Sequence, residues 1–502
     1  MTARIDIVFS ILLTLALGLA APAIAQDPRA QPWLLTTYGD VRVPAAVAPR
    51  SELAQVKTQA ANRSPEDLAR LRWWATGGPV YRWNEIAVGE MIDSFVTVPM
   101  ALRNLALVHA AMDDAVAVAW HQRAASKRPQ PVSLDRTIRV GLTVSPGPAF
   151  PSDFAAAATA ASTVLGYLLP DRAQAISAKA EDAVALRLKS GLDYPSDVAA
   201  GRAIGNAVAA AAIARAKADR SDTKFTGTIP SGPGKWIGTN PIGATAVIWQ
   251  PWVLARADEF RPTAPPAIES EAGKAALAEV KAYQRTPKSN HRATYWEVFG
   301  GARIFALWNE TARLKQLEQG SRNPVVSARM LAALNIAMAD SAIACFDAKY
   351  AYWYIRPSQQ DPDVKPVFPP PSHPSYPAAH GCLSTAATTI LAKAFPQDSE
   401  TLTAQGREAA DARLWGGIHY RFDIDAGQAL GQAVGEKVSA RAFSAEPTRP
   451  SPAARQTGHF PCRRLLSTST HHPSASARRV RCRCGGPEWL SRARARPWLA
   501  LS

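Results

Sequence analysis

The sequence predicts an all-α protein made of two similar helical bundles. Three observations carry this. From Gln26 to Ser444 the chain is mostly Ala/Leu-rich segments with apolar residues at helical spacing, and strand-like runs are few. A long part of it recurs later at a nearly constant offset. A Pro/Trp/Gly-rich stretch, Asp222 to Pro266, separates the two copies and reads as a connector.

The composition is that of a globular chain. Of 502 residues, 47% are apolar and 20% charged, which excludes disordered and collagen-like classes and allows a sizeable core. The net charge of +16 calls for an anionic partner. Its distribution narrows the choice. The last segment, 445–502, has eleven Arg, no Lys and two Glu, a net +9, which leaves +7 for the body. Two body cysteines, Cys345 and Cys382, cannot form a disulfide framework for a chain this size.

Residues 1–25 read as a secretory signal. Arg4 precedes an apolar run from Ile7 to Ala21, and Ala23-Ile24-Ala25 forms a small-residue cleavage site before Gln26. Export to the periplasm or beyond is expected, with no membrane span, since no helical segment has about 18 uncharged apolar residues in a row. Residues 26–215 form the first bundle, 216–304 the connector and 305–443 the second bundle. Clear helical segments are Phe154–Leu169, Gln174–Leu188, Ala199–Lys217, Ser327–Tyr350, Gly381–Phe395 and Ala426–Phe443.

The repeat is specific. Trp83-Asn84-Glu85 recurs as Trp308-Asn309-Glu310 at offset 225. Residues 187–208 match 413–434 at offset 226 with eleven identities in twenty-two, among them Arg187/Arg413, Gly191/Gly417, Tyr194/Tyr420 and Asp197/Asp423. The copies differ at informative places: His380 aligns with Phe154, and His419 with Asp193. Histidines needed only for packing would have no reason to appear twice in one copy.

Cations surround these histidines in sequence. Lys349 is followed after six residues by Arg356-Pro357, then by Pro377-Ala378-Ala379-His380, then by Arg413, His419 and Asp423. Two guanidiniums and an ammonium converging on one point can hold a tetrahedral oxyanion. Pro377 is expected as the first helical residue, which would leave the N–H groups of Ala379 and His380 free for an anion. His380 can act as a general acid or base. His419 can be a ring-nitrogen ligand or a nucleophile. Asp423 can orient His419 or cap the next helix. His373 lies among prolines and reads equally as a support behind the site or as a loop histidine. Phe346 can wall the pocket or pack the core. His109, His121 and His291 have no partners in this pattern and read as structural or surface residues.

The ordered blocks Lys-x6-Arg-Pro, Pro-Ser-Gly-His and Ser-Arg-x5-His-x3-Asp form the signature of vanadium-dependent haloperoxidases and type 2 phosphatidic acid phosphatases. The sequence resembles this signature over 349–423, as Lys349…Arg356-Pro357, Pro377-Ala378-Ala379-His380 and Ala412-Arg413…His419…Asp423. The duplicated bundle extends the resemblance to exported bacterial haloperoxidases over roughly 80–443. It implies that Lys349, Arg356 and Arg413 hold vanadate, assisted by the N–H of Ala379. It makes His419 the axial vanadium ligand and His380 the acid/base that helps peroxide bind, and it places His373 where bromide-oxidising members carry a histidine. Alanines 378, 379 and 412 depart from the pattern. Losing the serine hydroxyl at 378 should cost about 0.5–3 kcal/mol of oxyanion binding.

The function expected from the resemblance is a vanadate-dependent haloperoxidase, with hydrogen peroxide, a halide and an organic acceptor as partners. The alternatives are an acid phosphatase, with phosphohistidine formed at His419, and an inactive oxyanion-binding homologue. The halide, the acceptor and the oligomeric state are not readable. The tail, 444–502, has three readings: a nucleic-acid arm, a Cys/His metal site, or a frameshifted and disordered C-terminus. The last is preferred, because the Arg-rich composition begins where the repeat ends. The anionic partner is then a small oxyanion, not a nucleic acid.

Overall fold

A computed structural model describes residues 31–143, 147–298, 300–320 and 323–443. The signal and tail readings lie outside the described residues. The described residues are helical and contain no strand; one isolated antiparallel bridge joins Lys235 and Tyr354.

The first half contains α1 (Pro49–Ala61), α2 (Pro65–Ala75), α3 (Tyr81–Asp93), α4 (Val98–Ser126), α5 (Pro131–Leu134), α6 (Asp153–Leu168), α7 (Ala173–Leu188) and α8 (Pro195–Ala218). The second contains α9 (Glu271–Ala282), α10 (Pro287–Glu297), α11 (Arg303–Glu318), α12 (Pro324–Tyr352), α13 (Pro357–Gln360), α14 (Ala379–Ala394), α15 (Ser399–Trp415) and α16 (Arg421–Phe443). Three pairs, α4/α12, α5/α13 and α6/α14, begin and end 226 residues apart. Within 216–304, α9 and α10 are the counterparts of α1 and α2. Both α2 and α10 start at proline behind a hydroxyl capping box, Ser64 in one and Thr286 in the other.

The long helices α4 and α12 form the centre. Buried Ala, Leu, Val and Met run round each helix, so neither has a solvent face over most of its length. By length and composition α12 is apolar enough to cross a bilayer, but the whole of that apolar window is buried inside the protein. Each helix carries an aspartate that holds a returning segment. Asp114 accepts from the N–H groups of Trp33, Leu34 and Leu35, and Asp340 from those of Trp252, Val253 and Leu254.

The repeated Trp-Asn pairs have two jobs. Trp83 packs tilted against Trp74 at 5.5 Å between ring centroids, and Trp308 stacks on Trp296 at 6.0 Å. Asn84 and Asn309 meet across the halves at 2.6 Å, flanked by His109 on one side and Asn335 on the other. His109 is therefore a buried member of the polar seam.

Small residues bring α16 onto α14. A Cβ on Gly427 would lie 2.6 Å from the carbonyl oxygen of Ala378, and one on Gly431 would lie 2.2 Å from that of Cys382. Gly201 and Gly205 do the same for α8 on α6. Only glycine permits this approach. It fixes the backbone on which the site is built.

Candidate functional site

Lys349 lies on the last turn of α12, which ends at Trp353 in the left-handed conformation, φ 52°. The reversal returns the chain through Tyr354 to Arg356. Lys349 is fully buried. An ammonium there must have its three donors satisfied. They go to the carbonyls of Pro374 (2.8 Å), Ser375 (2.9 Å) and Pro377 (2.5 Å). Burial pushes its pKa down to about 8.

Arg356, also fully buried, gathers the site. Its Nη1 donates to Ile418 O (2.8 Å) and His419 Nε2 (2.9 Å); its Nη2 donates to His373 Nδ1 (3.0 Å) and His373 O (2.9 Å). His373 Nδ1 lies between the Arg356 donor and the Pro374 carbonyl (3.2 Å). Guanidinium is only a donor, so His419 Nε2, which faces Arg356 Nη1, carries a lone pair. His419 Nδ1 therefore bears the proton and donates to Asp423 Oδ2 at 2.8 Å. Ser375 Oγ donates to the same oxygen at 2.5 Å. Asp423 also accepts from the Tyr420 N–H at 3.2 Å, so it both orients His419 and caps the start of α16. Burial raises its pKa to about 6, against the opposing hydrogen bond from Ser375 and the charges of Lys349 and Arg356.

Arg413, on the last turn of α15, donates to Glu297 Oε2 (2.5 Å) and Ala293 O (2.9 Å). Its Nε is buried without a partner. His380, at the second position of α14, bonds Trp296 O through Nε2 at 3.0 Å. Burial and the nearby cations hold His373, His380 and His419 well below the usual imidazole pKa, so all three are neutral near pH 7.

The helix start differs from expectation. Ala379, not Pro377, is the first helical residue, and Ala378 is the N-cap. The reason is the Ala378 N–H, which bonds Asp423 O at 2.8 Å while its own backbone is extended (φ −73°, ψ 117°). The Ala379, His380 and Gly381 N–H groups still begin the helix with no intrahelical acceptor. Ala378 is buried and supplies no side-chain cap.

A cavity of about 400 Å³ opens over these groups. His373, Ala379, His380, Arg413 and His419 line it, together with Phe346 and Glu297. Lys349 and Arg356 stand behind this wall rather than at it. Phe346 packs edge-on against His373, ring centroids 5.4 Å apart. Two participants were invisible to sequence reasoning. Glu297 comes from the stretch read as connector, and Ser375 from a proline-rich loop. Their only signal was the register of Trp296 with Trp74 and the proximity of Ser375 to His380.

The donor set fits a small oxyanion. It offers an unpartnered guanidinium Nε, the N-terminal N–H groups of α14 and a ring nitrogen with its lone pair free of a proton. With neutral histidines, three cations face two carboxylates.

A profile of the VCPO second helical-bundle domain matches residues 395–445, which include Arg413, His419 and Asp423. The fold is similar to a structure described as the first bacterial vanadium-dependent iodoperoxidase, with TM-score 0.55 and 22% identity, over 79% of this chain and 97% of that one. It is also similar to a holo-type bacterial vanadium-dependent chloroperoxidase, with TM-score 0.51 and 17% identity, over 70% of this chain and 94% of that one. No curated protein matches the chain. The chain thus has the fold of the bacterial vanadium haloperoxidases.

Proposed function

We propose that this chain is an exported vanadate-dependent haloperoxidase. One observation carries the reading: His419 Nε2 is held as a proton-free ring nitrogen, by Asp423 and Ser375 on one side and Arg356 on the other. A ligand or nucleophile needs that lone pair, which accepts from Arg356 Nη1 here and would be released from that bond to act. Arg413 offers Nε, and the N–H of Ala379 adds a dipole-oriented donor. Lys349 and Arg356 supply charge from behind the wall and hold the carbonyls of the loop in place. Glu297 fixes Arg413 and removes one positive charge. His380, neutral and beside the cavity, holds or accepts a proton at the ring nitrogen not bonded to Trp296. Vanadate bound here would supply Lewis-acid activation of hydrogen peroxide for halide oxidation.

The test is a pair of assays on the purified protein. Halogenation with vanadate, peroxide and bromide or iodide, lost when vanadate is withheld, supports the proposal. Phosphate release from a phosphomonoester, inhibited by vanadate, would replace it with a phosphatase acting through His419. Vanadate binding with neither activity would make the chain an oxyanion-binding homologue.

A further inference from the structure

We infer that the cavity above the site is a binding pocket for an uncharged aromatic acceptor, and that Phe95 is its recognition element. The inference rests on the haloperoxidase reading for its chemistry and on the turn after α3 for its geometry.

Phe95 sits at φ +50°. Its N–H bonds Ile92 O at 3.0 Å, and the Val96 N–H bonds Met91 O at 3.1 Å. This pair of bonds is the Schellman stop, in which the left-handed residue is usually glycine. The sister turn after α11 shows that rule. Gly320, 225 residues on, has φ +60°. A phenylalanine at such a position is unfavourable for the backbone. Packing does not compensate, because the residue is 89% exposed. The fold therefore supplies no reason for the ring.

Position supplies one. Phe95 stands at the wall of the cavity that also contains His380, Arg413 and His419. Met91, Ile92, Val98, Ile242, Phe346 and Leu383 make the rest of that wall apolar. The charged side chains lining it, Glu297 and Arg413, are paired with each other. An apolar, charge-balanced wall with an aromatic ring at its edge suits a flat, uncharged ring. A molecule seated there lies over the reacting groups. Halogen transfer would then occur in place. Peroxide, halide and a proton give hypohalous acid and water. The acid then converts ArH to ArX: the C–X bond forms, the O–X and C–H bonds break, and the ring proton leaves with the hydroxide as water. The first half, which lacks counterparts of His380 and His419, contributes through Phe95 and its turn a wall to the second half's site.

The experiment uses 2-naphthol as the probe and the Phe95→Gly and Phe95→Leu variants of the full chain. Glycine suits the turn, so folding is not at risk, and a melting curve checks this. Calorimetric titration without vanadate should show one naphthol per wild-type chain, at least tenfold weaker binding to Phe95→Gly and an intermediate affinity for Phe95→Leu. With vanadate, peroxide and bromide, the enzyme's ratio of brominated 2-naphthol isomers should differ from that of reagent hypobromite, and Phe95→Gly should move it toward the reagent's. Equal naphthol affinity in wild type and Phe95→Gly, or a wild-type isomer ratio equal to the reagent's, overturns the inference. A protein that binds naphthol through Phe95 but oxidises no halide overturns the haloperoxidase reading and leaves the pocket standing.

Discussion

Arg187 and Arg413 hold the same place in the two copies, but different charges surround them. In the first half Arg187 pairs with Asp193 at 2.8 Å, and Ser152 donates to the other oxygen of that aspartate at 2.5 Å. Arg123, in the place of Lys349, pairs with Asp153 at 2.9 Å. Arg123, Asp153, Arg187 and Asp193 line a cavity of about 750 Å³, larger than that of the second half. In the second half Ala379 stands where Asp153 is and His419 where Asp193 is. Two built-in carboxylates are gone, one replaced by a neutral ring nitrogen, and only Glu297 balances Arg413. The scaffold is shared; the charge account is not. The first half answers its own cations, whereas the second keeps a positive remainder, the charge that the proposed oxyanion would balance.

The largest expected effect separates the two aligned positions. His419→Ala should lower turnover at least about a thousandfold, while Asp193→Ala should change it less than about twofold. Asp193→Ala should instead reduce stability by roughly 2–3 kcal/mol, because Arg187 loses its partner in a mostly buried place. Steady-state kinetics and denaturant melts on both variants check this.

The polar seam gives the next contrast. His109 is buried and its pKa is pushed down to about 4, whereas its counterpart is Asn335. An imidazole depressed in the fold takes its proton mainly on unfolding. Stability is therefore highest above pH 6.5 and falls as pH drops toward 4, by up to about 3 kcal/mol for this residue. His109→Asn makes the seam symmetric and should flatten that part of the pH–stability curve, read by urea melts from pH 7 to 4. The three site histidines are shifted in the same direction and keep part of the slope.

Gly427→Ala and Gly201→Ala both force a methyl toward a helix backbone, near Ala378 O in one and Ser152 O in the other. Each should lose about 1–3 kcal/mol of stability. Only Gly427→Ala should also weaken vanadate binding, since it moves the N-terminus of α14. Calorimetry on the pair separates packing from function.

The smallest effect is a gain. The first copy tolerates Ser152 where the second has Ala378. Ala378→Ser should tighten vanadate about tenfold, roughly 1.4 kcal/mol for one hydroxyl bond to a charged oxygen. Equal affinity in a vanadate titration would mean that the hydroxyl is drawn to another partner.

The repeat was legible because it uses residues that chance rarely repeats. Trp83/Trp308 and Tyr194/Tyr420 fill buried places in both copies, and Arg187/Arg413 each make a carboxylate pair. The site signature was legible because cations and histidines at fixed spacing are uncommon on alanine-rich helices. Glu297 was not, since it lies on a short helix amid a composition typical of connectors. Ser375 was hidden because its bond to Asp423 spans 48 residues. Pro377 was misplaced at the helix start because a local rule ignored the bond from the Ala378 N–H to Asp423. Phe95 gave no signal, because a left-handed φ shows only in the backbone.

The central claim is that the second copy alone binds the oxyanion, and calorimetric titration of orthovanadate into Arg413→Ala and Arg187→Ala tests it most directly. One site per chain is expected in the wild type and in Arg187→Ala, and loss of that site in Arg413→Ala. Two sites in the wild type, or loss in Arg187→Ala with retention in Arg413→Ala, would contradict it.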